Sequence, residues 1–224
     1  MTGDQIIIPA IIPDTAEQVY RELDTMPWLY EVHIDVVDGD FVQNVSWPYE
    51  PLGTPAEISA VLEQYSVEVD LMVSRPLPAA KAWVESGAER LVFHAETISV
   101  DDFTDFTNRF PEVSVGVSIL NDTPWSVIEP FISLADFVQL MGIAIIGAQG
   151  ADFDERVLER IAMVQATDLA IPISVDGSVN HDSIPILRQA GADRYVVGSA
   201  LLQAEDREQQ YQYLDALARP QTVA

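Results

Sequence analysis

The chain has 224 residues, 48% hydrophobic and 21% charged, enough to close a full hydrophobic core and to exclude disorder and collagen-like repetition. Its 36 acidic residues against 11 basic ones leave a net charge of −25, a field that repels polyanions and excludes nucleic-acid binding as a main function. With no cysteine, disulfides, Cys-ligated zinc, iron–sulfur clusters and thiol nucleophiles are excluded as well.

Gln5–Pro13 is the first β-branched apolar run, and Asp14 with Glu17 predicts the opening of a helix whose Val19, Leu23 and Met26 share a face. Tyr30–Val37 is the second strand. Thr54-Pro55-Ala56-Glu57 then reads as a capping box with proline at the first helical position, followed by a stripe of Ile58, Val61, Leu62 and Tyr65. Ser66–Val73, Arg90–His94, Val113–Leu120 and Phe137–Ile146 follow as strands. Asp154 starts a helix with Val157, Leu158, Ile161 and Val164 inward, and Ala170–Val175 and Arg194–Val197 complete the series. The strands read as apolar nearly throughout, as parallel strands covered by helices do. Eight strand–helix units predict a single (β/α)8 TIM barrel domain over residues 1–224. An open doubly wound sheet is the alternative, disfavoured because no glycine fingerprint follows the first strand.

No apolar run approaches the ~18 residues of a membrane span. Met1-Thr2-Gly3-Asp4 lacks the basic start of a signal peptide, so the expectation is a cytoplasmic protein without a membrane partner. Lys81 is the only lysine; with the acidic excess this reads as adaptation to a high-salt cytoplasm, an ordinary acidic protein being the alternative.

A barrel carries its active site at the C-terminal ends of its strands, so polar residues there that a core would reject are the candidates. His33 and Asp35 are two apart and leave the second strand on one face, either as a buried hydrogen bond that fixes the strand or as part of a site. Asp70 lies inside an apolar strand, where a carboxylate must be paired or metal-bound. Asp176 ends the seventh strand; His94 and Glu96 close the fourth, where a satisfied supporting histidine is the expectation. His181 reads as an exposed residue near a helix cap, and Trp28, Trp47, Trp83 and Trp125 as core or loop anchors. Two carboxylates across a barrel mouth, with a histidine able to hold a metal, suit proton transfer at carbon through an enediolate. Gly177-Ser178, Gly198-Ser199-Ala200, Gly142 and Gly147-Ala148-Gln149-Gly150 follow the last three strands and predict a phosphate site built from backbone N–H groups, Arg188 and Arg194 being out of place for it.

In order and spacing these residues resemble ribulose-phosphate 3-epimerases from about Ile7 to Leu202. The most specific stretch is His33-x-Asp35-x-x-Asp38-Gly39-x-Phe41-Val42 with Asn44. It is supported by Leu71-Met72-Val73, Phe93-His94-Ala95-Glu96, Leu120-Asn121-x-Thr123-Pro124, Glu129-Pro130, Val175-Asp176-Gly177-x-Val179-Asn180 and Gly198-Ser199-Ala200. The resemblance implies a barrel of the ribulose-phosphate-binding type, one divalent metal ion (Mn, Fe, Zn or Co in family members), and Asp35 and Asp176 as acid/base pair and metal ligands. It implies His33 as a further ligand, Met72 and Met141 as walls, and Gly177, Gly198 and Ser199 at the phosphate. Dimers or hexamers are common in the family, which implies a homo-oligomer.

Four departures surround the same site. The family's second metal-binding histidine is here Asp70; its first-strand serines are replaced in Ala10-Ile11-Ile12; its methionine before Asp38 is Val37; and its glycine-rich loop reads Ala144-Ile145-Ile146-Gly147-Ala148-Gln149-Gly150. With Asp70 as fourth ligand, one imidazole and three carboxylates favour a harder cation such as Mn2+ or Mg2+ over Zn2+; otherwise the metal site is lost. The expectation is a metal-dependent epimerase acting at C3 of a ketose phosphate, D-ribulose 5-phosphate first. The alternatives are a related sugar-phosphate epimerase or lyase and a catalytically silent sugar-phosphate-binding barrel.

Overall fold

The computed structural model describes residues 5–147 and 150–220. β1 (Ile7–Ile11), α1 (Ala16–Asp24), β2 (Glu31–Val37), α2 (Ser59–Gln64), β3 (Ser66–Met72), α3 (Pro76–Ser86), β4 (Arg90–His94) and α4 (Val100–Arg109) form the first half. β5 (Ser114–Ile119), α5 (Glu129–Ile132), β6 (Phe137–Met141), α6 (Arg156–Gln165), β7 (Ile173–Asp176), α7 (Ser183–Ala190), β8 (Arg194–Val197), α8 (Ser199–Leu202) and α9 (Arg207–Ala218) form the second. All eight strands pair in parallel with their sequence neighbours, and β8 returns to β1 to close the barrel. The (β/α)8 TIM barrel read from the sequence is the fold.

The apolar core lies between barrel and helices. Val32, Ile34 and Val36 of β2, Val67, Val69 and Leu71 of β3, and Leu91 and Phe93 of β4 join Val19, Leu23, Trp83, Phe103 and Ile161 of the helices in one cluster. Trp47 and Trp83 meet edge to face, their ring centroids 5.8 Å apart. The intervening residues turn inward, and the barrel interior is far more polar than the expected continuously apolar strands. Buried Glu68, Asp70, His94, Ser118, Gln139 and Ser174 face it by the period of two. At the strands' N-terminal side, Glu68 accepts from Arg90 Nε at 2.8 Å and Arg194 Nη1 at 2.9 Å, and Arg90 lies over the Phe137 ring at 4.4 Å. Gly116 makes room for that ring: a Cβ there would come within 2.4 Å of it.

Boundaries differ from the expectations where side chains take over. α1 is capped by Thr15 rather than Asp14, its side chain accepting from the Gln18 N–H. Glu57 does reach back to the Thr54 N–H at 2.8 Å, but the first turn, Pro55–Ile58, is a 3-10 turn. α6 begins at Arg156, two residues past Asp154, whose carboxylate binds the Arg156 guanidinium and backbone N–H; Leu158 is only half-buried. β6 ends at Met141 instead of Ile146, because the Gly142 N–H turns to the Asp176 carbonyl at 2.6 Å and Asn121 takes the Met141 carbonyl at 2.9 Å. β7 begins at Ile173, after Pro172, rather than at Ala170. Among the described residues no helix is long and apolar enough to cross a membrane.

Candidate active site

Register builds the site. Parallel pairing of β2 with β3 sets His33 beside Glu68 and Asp35 beside Asp70, all four pointing inward, and pairing of β6 with β7 sets Met141 beside Asp176. His33, Asp35, Asp70 and Asp176 each offer one ligand atom, and these atoms lie within 4.8 Å of one another. Donors around one cation at about 2.0–2.3 Å stand no more than about 4.6 Å apart, so the cluster closes onto a single ion with small side-chain adjustments. The chemistry of the donors fits as well. His33 Nδ1 is engaged by Glu68 Oε1 at 2.9 Å, leaving Nε2 toward Asp35 Oδ1 at 3.2 Å. A carboxylate holding the far ring nitrogen is how metal-binding histidines are oriented.

The metal-free cluster is proton-rich. Burial opposes charge on His33, yet the hydrogen bond and field of Asp35, then those of Glu68, outweigh it and hold its pKa well above the ordinary value. Burial and then the charge of Asp35 push Asp176 up to about 8. Asp35 is also raised by burial, against the pull of His33. Burial raises Glu68 too, but Arg194, His33 and Arg90 together outweigh it and keep it ionised far below the usual carboxylate range.

Above the cluster opens a cavity of about 480 Å3. Of the four cluster residues only Asp35 and Asp176 line it; His33 and Asp70 lie behind them. Of the residues expected at the substrate, Met72, Met141, Gly147, Gly150, Gly177, Ser178, Gly198, Ser199 and Ala200 line the cavity, whereas Gly142 does not, its N–H being spent on the Asp176 carbonyl. Val37, Met72, Met141, Ile143 and Ile146 form a buried apolar collar, with Phe41, Val42 and Leu120 against it, that dries the two carboxylates. Ala10 and Ile12, from the segment where serines were expected from the resemblance, line the cavity as well. Among the described lining residues none is Lys, Arg or His. Ala148 and Gln149 of the predicted phosphate loop lie outside the described residues.

The signature loop after β2 folds over the mouth. Asp38 accepts from the backbone N–H groups of Asp40, Phe41 and Ser74, and Asn44 donates to the Gly147 carbonyl at 2.8 Å, joining the β2 and β6 loops. His94 is the supporting residue expected: its Nε2 is 3.0 Å from Asp70 Oδ1 and its ring packs on Phe41. Glu96 accepts from the Leu120 N–H, His181 is half-exposed, and Arg194 is committed to Glu68 and Glu31. Sequence reasoning missed Glu68 and Gln139. Both are polar residues in apolar strands, the signal that had marked Asp70; Gln139 Nε2 donates to Asp70 Oδ2 at 2.8 Å.

Known proteins resemble this chain over most of its length. Residues 6–202 match the Ribulose-phosphate 3 epimerase family. A ribulose-phosphate 3-epimerase of Mycobacterium bovis is 30% identical over 213 residues, covering 92% of this chain and 89% of its own. One from Aquifex aeolicus is 32% identical over 192 residues, covering 83% of each. Among solved structures, a 3-hexulose-6-phosphate synthase superposes with a TM-score of 0.70 at 18% identity, covering 96% of this chain and all of that one. A 3-keto-L-gulonate-6-phosphate decarboxylase from Vibrio cholerae does so at 0.70 and 12% identity, covering 95% of this chain and 96% of the other. These two likenesses speak to the barrel fold alone.

Proposed function

The chain belongs to the ribulose-phosphate 3-epimerase family and is an isomerase, and from that premise we propose that it interconverts D-ribulose 5-phosphate and D-xylulose 5-phosphate, as one barrel domain, by proton transfer at C3 between Asp35 and Asp176. The observation that carries this reading is the division within the cluster: the two aspartates face the cavity, while His33 and Asp70 complete the ligand set from behind. His33, Asp35, Asp70 and Asp176 would hold one divalent cation. When bound, that cation supplies positive charge against the negative charge developing on the sugar's C2 and C3 oxygens. Three carboxylates and one imidazole favour a harder cation such as Mn2+ or Mg2+ over Zn2+.

The residues of the chain do the rest. One carboxylate must start ionised and the other protonated if a proton is to leave one face of C3 and another arrive on the opposite face. The two carboxylates stand in different surroundings: Asp35 lies beside the His33 ring, while Asp176 ends β7 next to Met141. Met72, Met141 and the apolar collar exclude water from the exchanging proton. Gly147, Gly177, Ser178, Gly198 and Ser199 would receive the phosphate through backbone N–H groups and hydroxyls, since no described lining residue is cationic. That lack, with Ala10 in the wall, favours a second reading in which another ketose phosphate is the better substrate. The acidic excess fits work in a salt-rich cytoplasm, and a homo-oligomer is the expected assembly.

Proton exchange at C3 of D-ribulose 5-phosphate in D2O, followed by NMR with EDTA and then with added Mn2+, tests the reading. The expected outcome is metal-dependent deuterium wash-in with xylulose 5-phosphate appearing. Asp35→Asn and Asp176→Asn should each lower turnover about 10^2–10^4-fold, the usual weight of a general acid or base. Full turnover in both variants would remove the two-aspartate mechanism. Exchange only on a ketose phosphate of different length would favour the second reading.

A further inference from the structure

Asp70 is held from across the barrel. Its Oδ1 meets His94 Nε2 of β4 at 3.0 Å and its Oδ2 receives Gln139 Nε2 of β6 at 2.8 Å. The three side chains are fully buried, so each contact forms away from water. Gln139 can face Asp70 only through its nitrogen; turned over, two oxygens would stand at hydrogen-bond distance with no proton between them. The other end of that amide is poorly served. Gln139 Oε1 has no hydrogen-bond partner among the described residues, nor has the Oγ of Ser118 or Ser174, its register neighbours on β5 and β7. A buried polar atom left so is destabilising, and a leucine or methionine of similar volume would avoid that cost. What the amide contributes therefore lies in its N–H bond to Asp70.

We propose that Gln139 is a positioning residue for the metal site: with His94 it fixes the Asp70 carboxylate so that one oxygen lone pair is turned to the cluster formed with His33, Asp35 and Asp176. A carboxylate with one donor on each oxygen keeps a lone pair free on each but cannot rotate without breaking a bond. Asp70 is thereby fixed in orientation as a ligand, and the two donors offset part of the negative charge that three clustered carboxylates collect. The inference rests on the metal-site reading above.

The test is Mn2+ affinity of the purified full chain, by competition with a chelator, and the Mn2+ EPR spectrum. The proteins are the wild type, Gln139→Met, Gln139→Asn (which keeps the amide but withdraws it by one methylene), Asp70→Asn and the Gln139→Met/Asp70→Asn double variant. Removing Gln139's donor should weaken Mn2+ binding about 10–100-fold, the usual effect of losing a residue that orients a ligand, and should alter the EPR line shape of bound Mn2+. In the Asp70→Asn background the same change should move affinity less than about twofold, because the effect passes through Asp70. Unchanged affinity in both Gln139 variants, or an equal loss with and without Asp70, overturns the positioning role while the metal site stands. If Asp70→Asn leaves affinity untouched, Asp70 is no ligand and the inference fails with the other three ligands retained. A wild type that takes up no divalent metal overturns the metal-site reading itself.

Discussion

Two side chains, His33 and Asp176, link the chemistry of the site to pH. Without metal, both hold protons that a ligand must give up: burial disfavours the His33 charge, but Asp35 and Glu68 hold its pKa well above 6.5, and burial with the Asp35 charge puts Asp176 at about 8. Metal uptake at neutral pH should therefore release protons, and apparent affinity should rise by about tenfold per pH unit for each proton released. The sign for stability follows from the same shifts. Asp176 keeps in the folded state a proton that it loses near 3.8 when unfolded, so the metal-free fold loses ground as pH rises from about 4 to about 8. The ion pairs of His33 favour folding fully below 6.5 and less as pH climbs through its raised folded value. The metal-free chain should thus melt at a lower temperature at pH 8.5 than at pH 6.5, with Mn2+ reversing the order. Calorimetric titration of Mn2+ in two buffers of different ionisation enthalpy measures the protons directly. Zero protons released at pH 7 would contradict the assignment of His33 and Asp176 as ligands.

At the scale of elements, the point that delivers Asp176 is the contact between the ends of β6 and β7. A Cβ on Gly142 would lie 2.2 Å from the Gly177 carbonyl oxygen and 3.5 Å from that of Asp176. Backbone, unlike a flexible side chain, cannot swing aside, so Gly142→Ala must push the two strand ends apart. The expected cost is about 1–3 kcal/mol, as for overpacking, with a fall in kcat because Asp176 moves with its strand; denaturant melts and steady-state kinetics read the two effects. This junction also shows why the sequence is legible only in part. The eight strands and the barrel follow from apolar runs spaced by helical stripes, and His33, Asp35, Asp70 and Asp176 stand out as polar residues in apolar company. The end of β6 does not, because Ile143, Ile145 and Ile146 prolong the apolar run after Gly142 has already crossed to β7. Glu68 and Gln139 hide for a related reason. Polar residues at alternate positions suggest a solvent-facing side, whereas here that side is a closed interior where Glu68 meets two arginines and Gln139 meets Asp70.

Across the whole molecule, several of the few cations are already committed to particular carboxylates. Arg90 and Arg194 serve Glu68 and Glu31 inside the barrel, Arg156 pairs with Asp122 and Asp154, Arg207 with Glu22 and Arg219 with Asp215. The net charge of −25 is therefore carried by surface carboxylates whose mutual repulsion has little local relief. The Debye length falls from about 10 Å at 0.1 M salt to about 3 Å at 1 M, so added salt screens that repulsion while the buried pairs, out of reach of ions, keep their strength. The urea midpoint should accordingly rise between 0.1 and 2 M KCl, a salt chosen because, unlike sulfate, it adds little general salting-out. The same screening acts on the substrate. An anionic sugar phosphate approaching a cavity lined by Asp35, Asp152, Asp176 and Asp182, without a cation among its described lining residues, meets less repulsion as salt rises. KM should fall with KCl while kcat, set among buried groups, changes little. A midpoint that drops with KCl would mean that attraction between surface charges outweighs their repulsion. A KM that climbs with salt would point instead to attraction by cationic groups beyond the cavity lining.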